Sequence, residues 1–460
     1  MKTLNYHRKL GIKAPLRGYQ RKAVALGCRI PHIGLLMDPR LGKTRCAIAI
    51  AGYRFKHDGA RRWIIACPKI AQEVWESEIR DVLDIPCEVQ VVTGKADERR
   101  ATLHLHRTVS NDELTVWIIN HEASWRLKKV LYKMAPDIVT VDESHRIKNH
   151  AAKQSRSLAV LGRRARFRQI LTGTFMSSPL DPYAQMQFLD PEVFDTNWAG
   201  FRSQYVKSYG FGGYKPKTYK NLNKMMELIS PLVFQLTRDE AGEFPSIDRE
   251  MIPFELTGKT LQYYREMEEE FFTQIRGHDV EATTVLVQAL RLQQITGGFV
   301  RVDKKDVSTG PNDRIKAVSE WLDRYSRSTP IVFVARFIYE LESLAELCKR
   351  MKRTSTTIRG GVNKDAAKKE FMSGRVDTCL IQIQSGIAID LSRATTLCFY
   401  STNGSLIDYE QSMSRVIKAG DHSVTISHVY AKDTVDQALI EGVSEKRNIS
   451  QALKDFIKGR

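Results

Sequence analysis

The chain has 460 residues, a length that fits two or three domains of ordinary size. Hydrophobic residues make up 42% and charged residues 27%, which excludes a low-complexity or disordered chain, and the net charge of +18 points to a polyanion partner, foremost nucleic acid. No apolar run approaches the roughly 20 residues of a spanning helix, and the first residues lack the apolar core of a signal peptide. A cytoplasmic protein without a membrane partner is therefore expected. The seven cysteines show no CxxC spacing, which argues against zinc, and several sit in apolar runs expected to be buried strands.

Ile33-Gly34-Leu35-Leu36-Met37 reads as a strand leading into Gly42-Lys43-Thr44 and then a helical stretch. Strands are further expected over Trp63 to Cys67, Val89 to Val92, Val116 to Asn120, Ile138 to Val141 and Gln169 to Leu171, alternating with polar helices up to about residue 190. That alternation predicts a parallel sheet covered by helices. A second series, from about 314 to 435, has strands over Ile331 to Ala335, Cys379 to Ile383, Thr396 to Tyr400 and Val424 to Val429. Between them, residues 197–312 carry long helical patterns (Thr257 to Ile275, Asp279 to Ile295) and a Gly/Tyr/Lys loop. The expected organisation is an α/β lobe over 1–196, a helical and loop insertion over 197–312, and a second α/β lobe over 313–460.

Two motifs carry chemistry. In Arg40-Leu41-Gly42-Lys43-Thr44, backbone N–H groups at a helix start can cradle phosphates, Lys43 can neutralise them and the Thr44 hydroxyl can ligate Mg²⁺. The first glycine of the full phosphate-loop pattern is replaced by Met37. About 100 residues on, Asp142-Glu143-Ser144-His145 closes an apolar run. Asp142 at a strand end can hold the Mg²⁺ hydration shell, and Glu143 can orient or deprotonate an attacking water. Together they predict a nucleoside-triphosphatase using Mg²⁺. His145 has no partner at metal-ligand spacing.

The order of these and further motifs resembles superfamily 2 helicases, specifically the SNF2-like branch and its small phage-encoded members. Leu16-Arg17-Gly18-Tyr19-Gln20 resembles the adenine-reading motif, which places Gln20 on the base. Ala66-Cys67-Pro68, with Trp75 and Glu78 beyond, resembles motif Ia. Asp142 to His145 resembles motif II and Leu171-Thr172-Gly173-Thr174 motif III. Ser385 to Leu391 resembles motif V, and Gln411 to Gly420 motif VI. The resemblance implies two RecA-like lobes, with His145, Thr172, Gly173, Thr174, Gly386, Asp390 and Gln411 coupling ATP to DNA. It also implies Arg415 as arginine finger with Lys418 as helper, completing the site when the two lobes close. Four positions depart from the family: Arg40 and Ala388 stand where glycine is usual, Phe175 where proline is, and Lys418 where a second arginine is. Lysine keeps the charge and loses the bidentate geometry.

For DNA contacts, residues 146–168 hold eight Lys/Arg and no Asp/Glu, Arg163, Arg164 and Arg166 among them. Such a run can neutralise backbone phosphates or form a solvated helix face. The loop Tyr209 to Lys220, with Tyr214, Lys215 and Lys217, has the composition of a stacking wedge or of an ordinary surface loop. The resulting expectation is an ATP-dependent DNA helicase or translocase acting on branched or forked DNA. The rivals are a duplex translocase that strips bound proteins and a DNA clamp with a degenerate ATPase site.

Overall fold

A computed structural model describes residues 8–105, 112–209, 216–275, 282–303, 305–385, 389–418 and 423–444. The chain divides into two units, Met1–Gly242 and Glu243–Arg460.

The first unit is built on a seven-stranded, wholly parallel sheet. Its strands are β1 (His32–Met37), β2 (Arg62–Cys67), β3 (Cys87–Val91), β4 (Leu114–Asn120), β5 (Ile138–Asp142) and β6 (Phe167–Thr172), with β9 (Val233–Leu236) added at one edge. A two-stranded antiparallel ribbon, β7 (Val206–Tyr209) and β8 (Pro216–Tyr219), precedes β9. The order across the sheet is β3-β4-β2-β5-β6-β1-β9. Every residue of β4, β5 and β6 is buried, as expected of central parallel strands covered on both faces.

The second unit holds a six-stranded parallel sheet. Its strands are β10 (Ile247–Phe254), β13 (Ile331–Ala335), β14 (Ser355–Ile358), β15 (Thr378–Gln382), β16 (Thr396–Phe399) and β17 (Val424–Ala431), in the order β10-β17-β16-β13-β15-β14. A hairpin of β11 (Phe299–Val302) and β12 (Lys305–Ser308) stands apart. Central β13 shows the period of two that a doubly covered strand imposes. Ile331, Phe333 and Ala335 enter one apolar cluster, while Val332 and Val334 enter another.

The two parallel α/β lobes are thus as the alternation predicts. The segment 197–312 differs from the expected separate insertion. Its first part closes the first sheet through β9, which pairs with β1 from Gly34↔Val233 to Met37↔Leu236. Its later part opens the second sheet through β10, which pairs along eight residues with β17. The two expected helices are present as Gly258–Ile275 and Ala282–Thr296 and belong to the second unit. Among the described residues, no helix is long and apolar enough to cross a membrane. Five of the seven cysteines are buried, and none is in a disulfide.

Candidate nucleotide site

Parallel strands deliver their carboxyl ends to one edge of a sheet, so the order β5-β6-β1 sets three motif-bearing loops side by side in the first unit. Lys43 opens the helix Lys43–Asp58 after β1, Thr172 ends β6, and Asp142 ends β5. Lys43 and Asp142 border a cavity of about 400 Å³ whose lining also includes Arg17, Gln20, Arg40 and Glu143.

The loop after β1 is shaped for close approach. Gly42 has φ +80°, and a Cβ there would lie 2.3 Å from Gln20 Nε2. Gln20 is held by two bonds: its Oε1 accepts from Arg17 N at 2.9 Å and its Nε2 donates to Leu41 O at 3.0 Å. Gln20 and the loop before Lys43 are therefore one hydrogen-bonded unit. At the other end of the loop, Pro39 packs under Gly173, where a Cβ would meet Pro39 Cδ at 3.0 Å. Lys43 Nζ donates to Met37 O at 2.8 Å and to Asp38 O at 3.3 Å, which aims the ammonium across the loop. Burial lowers its pKa, and the nearby carboxylates of Glu143 and Asp142 work against that fall.

The acidic pair is differentiated. Asp142 accepts from Trp75 Nε1 at 2.9 Å and from the Glu143 N–H at 2.9 Å. Burial, together with the Glu143 charge, still lifts its carboxyl to about 6. Burial also pushes Glu143 up, but the hydrogen bond and charge of His145, followed by Lys43, outweigh it and hold Glu143 below its usual range. His145 Nδ1 lies 3.3 Å from Glu143 Oε2 and 3.3 Å from Thr172 Oγ1, so one ring touches both the acidic pair and the end of β6. Thr172 Oγ1 also accepts from Thr174 N at 3.0 Å.

These residues fit ATP with Mg²⁺. Gly42 admits the close approach of Gln20, a helix start and Lys43 line the cavity, and a hydroxyl from Thr44 and a carboxylate from Asp142 stand on the same cavity as hard oxygen ligands. If Asp142 holds Mg²⁺, it would do so as the carboxylate, and binding below pH 6 would cost the loss of its proton. The Mg²⁺ requirement of turnover should therefore rise about tenfold per pH unit below pH 6 and level off above it. Mg²⁺ titrations of ATPase rate at several pH values would check this, and a requirement that does not change with pH would contradict it.

A family model described as the SNF2-related domain matches residues 19–297, more than half of the chain. The chain belongs to the SNF2-related domain family. The p41 protein of Acyrthosiphon pisum secondary endosymbiont phage 1 is 25% identical over 448 residues, which cover 91% of this chain and 93% of that protein. The DNA annealing helicase and endonuclease ZRANB3 of Homo sapiens is 28% identical over 260 residues, covering 53% of this chain and 23% of that protein. This chain therefore spans only about a quarter of that relative's length. Among solved structures, the Sulfolobus solfataricus SWI2/SNF2 ATPase core in complex with dsDNA covers 98% of this chain and 94% of that one, at 18% identity and a TM-score of 0.46. As an SNF2-related protein, the chain is a DNA-dependent ATPase of the helicase class.

The other expected residues of this SNF2-related chain lie as follows. Arg415 caps the helix Leu406–Ser414 and is buried, and its carbonyl accepts from Leu391 N at 3.0 Å, tying the motif V and motif VI segments together. Asp390 Oδ1 accepts from Ser392 N at 3.1 Å; Gln411 is half-buried and Lys418 exposed. Gly386 lies outside the described residues, as do Tyr214 and Lys215, while Lys217 falls on β8. The basic run 146–168 is not one surface: Arg168 is buried against His32 and donates to its Nδ1 at 3.1 Å, so it is no candidate for DNA. Three partners carried no signal in the sequence reading. His121 Nε2 donates to Asp142 O at 2.8 Å, Gln185 Oε1 accepts from Ser144 Oγ at 2.7 Å, and Asp38 Oδ2 accepts from Arg238 N at 3.0 Å. Each acts on motif residues from a distant point in the chain, and a single sequence has no periodicity that marks such pairs.

Arg40 occupies the left-handed region at φ 73°, where a side chain costs about 1 kcal/mol or more relative to glycine. Arg40→Gly should therefore stabilise the protein by about 1 kcal/mol, a rise in Tm of about 2–4 °C. Thermal melts of the two proteins read this directly, and an unchanged or lower Tm would show that the arginine side chain stabilises the loop by as much as the backbone strain costs.

Proposed function

We propose that this protein is an ATP-driven DNA motor that remodels branched DNA, by unwinding forks or migrating junctions, in the cytoplasm of a bacterial host. What supports the ATPase half most is the single cavity on which Gln20, the Gly42–Thr44 loop and the Asp142–Glu143 pair converge. In this reading Gln20 reads adenine, and the backbone around Gly42 and Lys43 holds the phosphates. Thr44 and Asp142 hold Mg²⁺, which supplies screening of phosphate charge when bound. Glu143 orients the attacking water and accepts its proton. His145, in reach of both Glu143 and Thr172, passes the state of the acidic pair to the motif III segment. Arg415 and Lys418 are assigned to the terminal phosphate by the family pattern.

The branched-DNA half rests on the basic surplus and on similarity to an annealing helicase along 53% of this chain. The test compares forked, four-way and blunt duplex DNA, both as stimulators of ATP turnover and as substrates for strand exchange or separation. Remodelling of forks and junctions, with blunt duplex left intact, is expected. Equal stimulation by all DNA without strand separation would favour a duplex translocase, and absence of turnover would favour a clamp.

A further inference from the structure

The basic run from Arg146 to Arg168 is continuous in sequence and divided in space. Arg146 and Lys148 follow the carboxyl end of β5, on the edge that carries the nucleotide cavity. The helix Lys153–Gly162 then runs back along the sheet for about 15 Å. Arg163, Arg164 and Arg166 emerge just before β6, at the opposite, amino edge. The end of the helix Lys128–Lys133 and the turn before β2 reach that same edge, and they bring Lys133, Arg61 and Arg62.

Bonds to backbone oxygens and aromatic faces fix Arg61, Arg62, Arg164 and Arg166 among them. Arg164 donates to Tyr132 O at 3.3 Å, with its guanidinium 5.2 Å from the centre of the Tyr132 ring. Arg62 donates to Met134 O at 3.1 Å, and Arg166 to Asp58 O at 2.8 Å. Lys133, Arg163, Arg164 and Arg166 are exposed. Each guanidinium has five N–H donors, so one backbone bond leaves others for a ligand. The carboxylates nearby are already engaged. Asp137 accepts from the backbone of Arg61 at 2.8 Å and of Arg62 at 3.1 Å and pairs with Arg166 at 3.5 Å, while Asp58 pairs with Arg54 at 2.8 Å. None of the large apolar side chains exposed among the described residues lies in these segments. An edge of cations, four of them fixed, without an apolar centre lacks the core of a protein interface and matches a phosphate backbone.

The geometry points to a second DNA-binding surface at the amino edge of the first unit, separate from the motif-bearing edge. It grips the phosphates of a duplex other than the one being driven. The inference rests on the DNA-motor reading above. The two edges are separated by the length of β6, six residues or about 20 Å, and face opposite ways, so a duplex seated across the motif-bearing edge leaves the amino edge uncovered. A motor that holds two duplexes at once has the arrangement that a fork or junction requires.

The test uses the full chain, bound to an immobilised duplex that is in excess over protein and then offered a labelled 30-base-pair duplex. Wild type should capture the second duplex. Arg163→Ala/Arg164→Ala/Arg166→Ala should capture about tenfold less or lower, with the log–log salt slope of capture reduced by about 3 for three lost phosphate contacts. Lys133→Glu, which alters an exposed lysine of that edge and none of the backbone-bound arginines, should also lower capture several-fold. Retention on the first duplex reports that each variant is folded. Capture at the wild-type level by both the triple-alanine variant and Lys133→Glu overturns the inference. So does failure of wild type to capture a second duplex while its ATP turnover is DNA-stimulated. If wild type neither binds the first duplex nor responds to DNA in turnover, the motor reading itself fails.

Discussion

Glu143→Gln is expected to lower ATP turnover by about 10²–10⁴-fold while nucleotide binding stays close to wild type. The side chain follows the last residue of β5 with φ 48°, a left-handed conformation that turns the chain sharply at the strand end. Interaction with His145 and Lys43 keeps its carboxyl ionised at neutral pH, the form a general base needs. The amide is isosteric and lacks that basicity. Lys43→Ala, in contrast, should lose both turnover and binding, because the ammonium is the positive charge that the loop holds at the cavity. A second consequence separates this from a general loss of structure. The Glu143 charge is one cause of the raised Asp142 pKa, so the amide should bring Asp142 down and reduce the acid sensitivity of Mg²⁺-dependent nucleotide binding. Steady-state turnover and fluorescent-nucleotide binding, each across pH, measure both effects. Turnover retained within a few-fold would remove Glu143 from the role of base.

The parts of this protein that are legible from sequence alone are those whose physics is local. Lys43 and Asp142 follow continuous apolar runs because central parallel strands are buried on both faces, so strand and motif are read together. The strands that apolar patterning misses in the two sheets are edges. β9 closes the first sheet, and β10 and β14 flank the second. An edge strand is half-exposed and tolerates polar residues and proline. β10 reads Ile247-Asp248-Arg249-Glu250-Met251-Ile252-Pro253-Phe254 and has only two buried positions, Ile252 and Phe254. Without those edges, residues 197–312 look like an insertion, although their ends are sheet components of the two units. The same limit applies to the basic run. Counting charges along 146–168 gives one patch, but the ten-residue helix within it carries its two ends to opposite edges of the lobe. Only the fold shows which of those arginines can act together.

Gln293 to Gly298 carry no evident chemistry in sequence, and the structure gives the segment a structural one that leads to the largest stability effect expected. Gln293 Nε2 donates to Thr402 O at 2.9 Å, and Thr296 Oγ1 accepts from Arg314 at 2.9 Å. Arg314 is 1% exposed. It donates to Tyr400 O at 2.7 Å, pairs with Asp436, and lies 3.6 Å from Glu340, whose side chain is fully buried. One guanidinium thus joins the end of the helix Ala282–Thr296, its own helix Asp313–Leu322, the helices that carry Glu340 and Asp436, and the residue after β16. Arg314→Met should destabilise the second unit by about 3–5 kcal/mol, since it strands two buried carboxylates without their cation. The sign of its pH dependence follows. Burial already raises the Glu340 pKa, and loss of Arg314 raises it further above the unfolded value, so the variant's folded state takes up protons as pH falls. The deficit should therefore be largest near neutral pH and shrink toward pH 5. Adding Glu340→Gln and Asp436→Asn to Arg314→Met should recover part of it at neutral pH, because no unpaired charge then remains in the cluster. Urea unfolding at two pH values, followed by the fluorescence of Trp321 in the same core cluster, reads the difference. Equal midpoints for wild type and Arg314→Met at neutral pH would mean that water reaches the stranded carboxylates and that the cluster does not hold the unit together.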